Sequence, residues 1–288
     1  MAQDKKGLAV AVANSADAHV LQAVHQAKKH GIADFILVGD KEKSEAAALS
    51  SGICISEFEF IQQADTYESC KTAVSLVANG KAAAVMKGAV ETSTIMKAVL
   101  DKEVGIRTDS RLSHLAVFEL PTYHKLLYIT DAAINIAPDF ETKKDILVNA
   151  VAALNNMGMS MPKTALIAAK EVVDEKMPVT LEYEKLVVAH RNGAFLSNAV
   201  LDGPLALDNA VSKESCDIKG INSPVGGDAD LLLCPDIEAG NILYKSLAFL
   251  AGARNGGLVL GAKRPIILTS RADSAESKLI SIALGVSC

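Results

Sequence analysis

Short apolar runs alternate with amphipathic stretches along most of the chain, and that alternation constrains the fold more than any other feature. Residues 7–13 form an apolar run that stops at Asn14-Ser15-Ala16-Asp17. Residues 18–29 then carry a helical pattern, and residues 35–38 are a second apolar run closed by Gly39-Asp40. This reads as strand, helix, strand and turn. The order recurs, with a helix over 67–79, a strand over 82–86 and a helix over 92–102. Strands joined through helices of about 10–15 residues run parallel, in βαβ units. Residues 115–120 and 126–130 read as strands separated only by a turn at Pro121-Thr122-Tyr123-His124. That is too short for a crossover, so the two form an antiparallel hairpin. Helices over 143–157, 179–192, 241–250 and 275–284 and strands over 164–169, 230–234, 257–260 and 266–269 complete the pattern. Residues 208–214 are a short helix at most, and residues 220–227 are a glycine-rich loop.

Composition agrees with this class. Half of the 288 residues are hydrophobic, aromatics are only 4% and Trp is absent. Such aliphatic richness suits a sheet buried under helices on both faces. The length suffices for a large core in one long domain or two medium ones. The formal charge of −5 comes with scattered Lys and Arg, so no basic stripe exists to take a nucleic acid. A small anion is still a reasonable ligand, because a few converging cations bind one whatever the net charge. The five cysteines (Cys54, Cys70, Cys216, Cys234 and Cys288) are odd in number and include no CxxC pair. They read as reduced, mostly buried thiols rather than as a disulfide framework or a zinc site. No stretch approaches ~20 apolar residues, and the N-terminal run is too short for a signal core. A cytoplasmic protein with no membrane partner is expected.

Ligands of parallel α/β sheets bind where strand carboxyl ends meet helix amino ends. Three segments have that form. In the first, the run Leu231–Leu233 ends at Cys234-Pro235-Asp236, and a helix is expected to begin near Gly240-Asn241, with Lys245 one turn on. Gly240 permits close backbone approach, and Asn241 can cap the helix or donate to an anion. A capped junction without a ligand would look the same. In the second, the run over 266–269 delivers Ser270 and Arg271, followed by Asp273 and by Ser274 as N-cap of the last helix. The guanidinium fork suits phosphate, although a surface pair with Asp273 or Glu276 is the plainer alternative. In the third, a strand runs into Lys87-Gly88, then Thr92, Ser93 and Lys97. This resembles a phosphate cradle but lacks P-loop spacing, and no GxGxxG follows a strand. His114, His124 and His190 have no partner in sequence and read as structural or surface residues.

Taken together, these segments resemble the phosphate acetyl/butyryl transferases. The resemblance rests on Met86-Lys87-Gly88-Ala89, on Thr130-Asp131-Ala132-Ala133-Ile134-Asn135, on Asp202-Gly203-Pro204, on the Pro235-Asp236 to Gly240-Asn241 to Tyr244-Lys245 run, and on Ser270-Arg271. It covers essentially the whole chain and is most like the butyryl branch. It implies a fold like that of the isocitrate and isopropylmalate dehydrogenases, with two α/β domains flanking a cleft. One domain would comprise residues 1–122 and 260–288; the other, residues 123–259, would carry a dimer interface in a homodimer or higher oligomer. The implied reaction is acyl-CoA plus phosphate giving acyl phosphate plus free CoA. Its partners are then a short-chain acyl-CoA, phosphate and acyl phosphate. CoA is a substrate, and neither a cofactor nor a metal is needed.

The resemblance assigns Ser270 and Arg271 to the oxygen of the tetrahedral transition state. It places Lys87, Gly88, Thr92, Ser93, Lys97, Asp236, Gly240, Asn241 and Lys245 at the substrate, CoA or phosphate. The acetyl branch continues SR-G-x-S-x-x-D, with the Asp proposed as base for the CoA thiol. Here that position holds Ser277, and a hydroxyl cannot replace a carboxylate base. Asp273 is the candidate substitute, while Glu276 should point away from Ser277 by roughly 100° on a helix. Three rivals follow. A metal-dependent decarboxylating dehydrogenase on the same fold needs an aspartate cluster, but Asp230 opens a strand and Asp236 follows its far end, which separates them. An acyl-CoA-binding protein without turnover would account for Ser277. An acyltransferase of lipid synthesis would depend on acyl carrier protein.

Overall fold

The first apolar run forms β1 (Ala9–Ala13), and the elements after it repeat the expected alternation. A computed structural model describes residues 8–270 and 273–288, so Gly7, Arg271 and Ala272 lie outside the described residues. The chain divides into two compact units, Met1–Ser110 with Gly256–Cys288, and Arg111–Asn255.

In the first unit, β1 leads through α1 (Ala18–Lys29) to β2 (Asp34–Gly39), α2 (Lys41–Leu49), β3 (Glu59–Gln62), α3 (Thr66–Ala78), β4 (Ala84–Lys87) and α4 (Thr92–Val99). The chain returns as β10 (Arg254–Leu260), β11 (Ile266–Ile267) and α10 (Ala275–Ser287). Aspartates start three of these helices. Asp17 accepts from the Val20 N–H at 2.9 Å, Asp40 from Lys43 at 3.2 Å, and Asp65 from Tyr67 and Glu68 at 2.9 Å each. Each carboxylate satisfies amides that the first helical turn leaves open. The strand order is β3-β2-β1-β4-β11-β10, parallel except for the antiparallel β10–β11 pair. Passage from β1 to β2 and from β3 to β4 runs in opposite directions across the sheet. Right-handed crossovers therefore place α1 and α3 on opposite faces.

The second unit holds β5 (Ser113–Glu119), β6 (Leu127–Thr130), α5 (Phe140–Asn156), β7 (Lys163–Ile167), α6 (Pro178–Arg191), β8 (Val200–Leu205), α7 (Leu207–Val211), α8 (Lys213–Lys219), β9 (Leu231–Leu233) and α9 (Ile237–Lys245). A π-helical turn, Ser246–Leu250, continues α9. The order is β5-β6-β9-β7-β8, with β5–β6 the expected antiparallel hairpin and the other pairs parallel. The hairpin lies whole within this unit, so β5 goes with the residues after it. The buried Leu231–Leu233 run serves both faces. Leu232 packs with Ala165, Ile167 and Ala210, whereas Leu233 packs with Ile146, Tyr183 and Leu186.

Differences from the sequence reading concern elements with weak patterns. α2 buries only Ser44 and Ala48, and the edge strand β3 is exposed or half-buried throughout, so neither carries a strong apolar period. β8, which the sequence reading does not include, runs as an extended strand through Gly203-Pro204. The short helix at 208–214 is two helices, α7 and α8, with Ser212 capping the second. The helix expected near Gly240 begins earlier, at Ile237, because Asp236 caps it by accepting from Ala239 N–H at 2.8 Å.

An ionic cluster ties together the amino ends of β6, β7 and β9. Asp228 meets Lys163 at 2.5 Å, His124 at 2.8 Å and Lys125 at 2.9 Å, while Asp230 meets Lys125 at 2.7 Å and the Lys163 N–H at 2.7 Å. The hydrogen bond from Lys163, with those from Lys125 and His124, holds the Asp228 carboxyl far below its ordinary range. A carboxylate with a depressed folded-state pKa stabilises above its unfolded pKa and loses that contribution as pH falls toward the folded value. Asp228→Asn should therefore lower Tm at pH 7, with the gap to the parent protein narrowing below about pH 4. A gap independent of pH in thermal melts would contradict this role for the cluster.

Candidate active site

The register of each sheet fixes what emerges at its carboxyl rim. In the first unit, Ala13 stands beside both Val38 and Lys87, so Asn14, Gly39 and Gly88 leave their strands at one level. The Gly88 N–H donates to Ala13 O at 2.9 Å, and the Ala89 N–H donates to Asn14 O at 2.7 Å. A Cβ on Gly88 would lie 2.3 Å from Asn14 O, so only glycine permits this crossing. Asn14 takes a left-handed conformation (φ 53°), its N–H donates to Ser69 Oγ at 2.9 Å, and its side-chain amide donates to Ala89 O. Lys87 is 5% exposed and donates to Val90 O at 3.1 Å and Gly88 O at 3.4 Å. Its ammonium thus shapes the loop that follows β4.

Thr92, Ser93 and Lys97 lie on the exposed side of α4. Lys97 Nζ stands 4.8 Å from the centre of the Tyr67 ring, a cation–π distance. β11 runs parallel to β4, with Ile267 beside Met86, so Ser270 emerges at the same rim as Lys87 and Gly88. The Ser270 N–H donates to Asp273 Oδ2 at 2.7 Å, and the Asp273 N–H donates back to Ser270 O at 3.2 Å. Ser274 caps α10 as expected, accepting from the Ser277 N–H at 3.1 Å, and its hydroxyl lies 3.2 Å from Ser277 Oγ. Ser277 is thereby part of the cap.

In the second unit, Thr130 and Leu166 both stand beside Leu233, which sends Asp131, Ile167 and Cys234 to a common rim. Asp131, 3% exposed, accepts from the N–H groups of Ala133 at 2.9 Å, Ile134 at 3.0 Å and Asn135 at 3.2 Å, and from Asn135 Nδ2 at 2.7 Å. Four donors on one carboxylate make the Asp131–Asn135 loop rigid. α9 docks on it. A Cβ on Gly240 would lie 2.4 Å from Asp131 O, and Asn241 Nδ2 donates to Ala132 O at 3.0 Å. Asn241 is thus a bridge to this loop and not the helix cap, which is Asp236. Lys245, two turns along, is exposed.

A cavity of about 540 Å³ opens beside Asp236, lined mainly by apolar groups of Ala137, Pro138, Ile167, Ala168, Val179 and Ala239. Its wall carries a Lys143–Glu182 ion pair at 2.6 Å. Among the described residues no group of three or more His, Cys, Asp or Glu is placed to hold a metal ion. Asp228 and Asp230 lie at the amino ends of the strands, opposite to Asp236, as their sequence positions imply.

The structure therefore joins Asp236, Gly240 and Asn241 with the Asp131 loop, and Ser270 with Asp273. It leaves Thr92, Ser93, Lys97 and Lys245 on exposed helix surfaces. Sequence reasoning assigns no site role to Asn14, Asp131 or Asn135. The available signals are the polar Asn-Ser pair directly after β1, and an aspartate followed four residues later by Asn directly after β6. Two buried thiols near the rims are chemically quiet. Burial raises Cys70 to about 11 and Cys234 to about 12, so both stay protonated at neutral pH.

Known proteins carry the same plan. The family model for phosphate acetyl/butaryl transferase matches residues 1–72 and 66–286. A phosphate butyryltransferase of Clostridium acetobutylicum is 45% identical over 282 residues, 98% of this chain and 93% of the relative. A phosphate acetyltransferase of Thermotoga maritima is 42% identical over 99% of this chain and 96% of the relative. The crystal structure of a branched-chain phosphotransacylase from Enterococcus faecalis V583 superposes with a TM-score of 0.85 at 35% identity, covering 97% of this chain and 98% of the other. The chain belongs to the phosphate acetyl/butyryl transferase family. A 4-hydroxythreonine-4-phosphate dehydrogenase from Klebsiella pneumoniae, 12% identical with a TM-score of 0.61 over 98% of this chain and 99% of the other, shares the fold alone. The architecture is the isocitrate/isopropylmalate dehydrogenase-like α/β fold expected from the sequence.

Because the Gly240 contact is with backbone, the loop cannot move aside cheaply. Gly240→Ala should destabilise the protein by about 1–3 kcal/mol through overpacking, read as a fall in Tm. An unchanged Tm would mean that α9 does not dock on the Asp131 loop as described.

Proposed function

We propose that this chain is a phosphate acyltransferase that moves a short acyl group, butyryl or a close homologue, between coenzyme A and inorganic phosphate. The observation that carries this reading is the near full-length likeness to the Clostridium acetobutylicum phosphate butyryltransferase, in a chain that carries the Ser270-Arg271 and Pro235 to Lys245 segments. The acetyl alternative is supported by the Thermotoga maritima relative and differs only in acyl length.

The reaction needs no covalent enzyme intermediate. Attack of the CoA thiolate on an acyl phosphate, or of phosphate on the thioester, places negative charge on the acyl oxygen. Preorganised donors aimed at that oxygen lower the barrier by about 3–4 kcal/mol each. In this reading Ser270 and Arg271 are those donors. Asp273 takes the thiol proton, in place of the carboxylate that Ser277 lacks. Its Oδ2 accepts from the Ser270 N–H, which ties the carboxylate to Ser270. Lys87, Gly88 and the α4 residues Thr92, Ser93 and Lys97 belong to the phosphate and CoA side of the reading, with Asp236, Gly240, Asn241 and Lys245 on α9. CoA is a substrate in it, and the working species is a homodimer or larger homo-oligomer.

The test is phosphate-dependent release of CoA thiol from butyryl-, isobutyryl- and acetyl-CoA, without added metal. Four-carbon substrates should turn over fastest. Faster acetyl-CoA turnover would shift the chain preference within the family, whereas absence of phosphate-dependent turnover by folded protein would overturn the reading. Arg271→Ala should lose at least ~100-fold in turnover with Tm unchanged, and near-normal activity would remove its role.

A further inference from the structure

Lys278 is the least exposed lysine among the described residues, at 2%, yet the groups it serves belong to an exposed turn. It stands in the first turn of α10, where its N–H donates to Ser274 O at 3.1 Å. Its ammonium reaches back and donates to Ser270 O at 3.1 Å and to Asp273 O at 2.7 Å. These two carbonyls bracket the pair Arg271-Ala272 in sequence. Ser270 and Asp273 are also tied to each other by the bonds between Ser270 N–H and Asp273 Oδ2 and between Asp273 N–H and Ser270 O. Ser270 is therefore held through both its amide and its carbonyl, and Asp273 through its amide, its carboxylate and its carbonyl.

Packing alone does not ask for a lysine here. An ammonium taken out of water is costly unless it is hydrogen-bonded, and an apolar chain of the same length would fill the space without that cost. Burial indeed presses the Lys278 pKa downward, against the opposing pull of the Asp273 and Asp17 carboxylates. What the ammonium supplies, and an apolar chain cannot, is two directed donors, one to the carbonyl of Ser270 and one to that of Asp273.

We propose that Lys278 is a positioning residue that fixes the Ser270–Asp273 turn, so that the Ser270 hydroxyl and the Asp273 carboxylate are presented in one geometry to the transferring acyl group. The inference rests on the reading that Ser270 acts on that group. Lys278 touches neither substrate nor reacting atoms and works through the turn. A residue of this kind changes how well the transition state is met and leaves ground-state binding of the CoA moiety largely alone.

The test is a double-mutant cycle on the intact chain, assayed as phosphate-dependent CoA release, with Tm recorded for every variant. Lys278→Met keeps the length and removes the donors, and should lower kcat about 10- to 100-fold with KM for butyryl-CoA little changed. Lys278→Gln, which retains a donor, should keep more activity and serves if the Met variant does not fold. Ser270→Ala should lose turnover by itself, and adding Lys278→Met to it should cost less than the product of the two single losses, because part of the Lys278 effect runs through the Ser270 hydroxyl. A folded Lys278→Met with parental kcat, or losses that multiply fully in the double variant, would overturn the proposal. Parental turnover in Ser270→Ala would instead overturn the reading of Ser270 itself, and the proposal with it.

Discussion

Two backbone crossings, each possible only at glycine, hold the carboxyl rims of the sheets. In one unit the chain leaving β4 at Gly88 lies against Asn14 O, and in the other α9 at Gly240 lies against Asp131 O. In both cases a carbonyl occupies the space that any side chain would need. The rim segments are consequently set by main-chain contacts, and side chains refine them. Asn14 bonds Ala89, Asp131 gathers four donors, and Asn241 bonds Ala132. Rigid rims of this sort suit a reaction whose catalysis rests on positioning and charge stabilisation.

The closing turn of the chain uses a different device. Ser270 and Asp273 sit between β11 and α10, and a buried ammonium from the helix reaches back to grip the turn. The acetyl-branch pattern puts a carboxylate at the position of Ser277, whereas here Ser277 lies within the helix cap beside Ser274. The carboxylate of this segment is Asp273, inside the turn. In the proposed reading the chemistry of this segment rests on Ser270, Arg271 and Asp273, and Lys278 bonds the carbonyls of Ser270 and Asp273.

Much of this was legible in the sequence because the strands are buried on both faces and read as unbroken apolar runs. Leu231–Leu233 is the plainest case, with alternate residues serving two cores. The hairpin at Pro121–His124 and the cap at Ser274 were legible for equally local reasons. Elements with little to bury were not: α2 has two buried residues, and β3 is an edge strand. The start of α9 was misread because Gly240-Asn241 looks like a helix opening, while the glycine is needed inside the helix for close approach. Asn14 acts on a loop far away in sequence and Lys278 acts through backbone carbonyls, which leave no mark on residue type, whereas Asp131 acts locally and its one signal is the Asn135 that follows it. The domain limits were illegible for a similar reason, since a chain that leaves a unit and returns needs no linker of unusual composition.

The central claim is that the acyl group passes between thioester and phosphate. Phosphorus NMR of butyryl-CoA with inorganic phosphate and enzyme tests it most directly, with free butyrate followed in the same sample. The account predicts an acyl phosphate resonance that grows in step with free CoA, and no butyrate. Release of CoA with butyrate and without acyl phosphate would mean that water is the acceptor, and would contradict it.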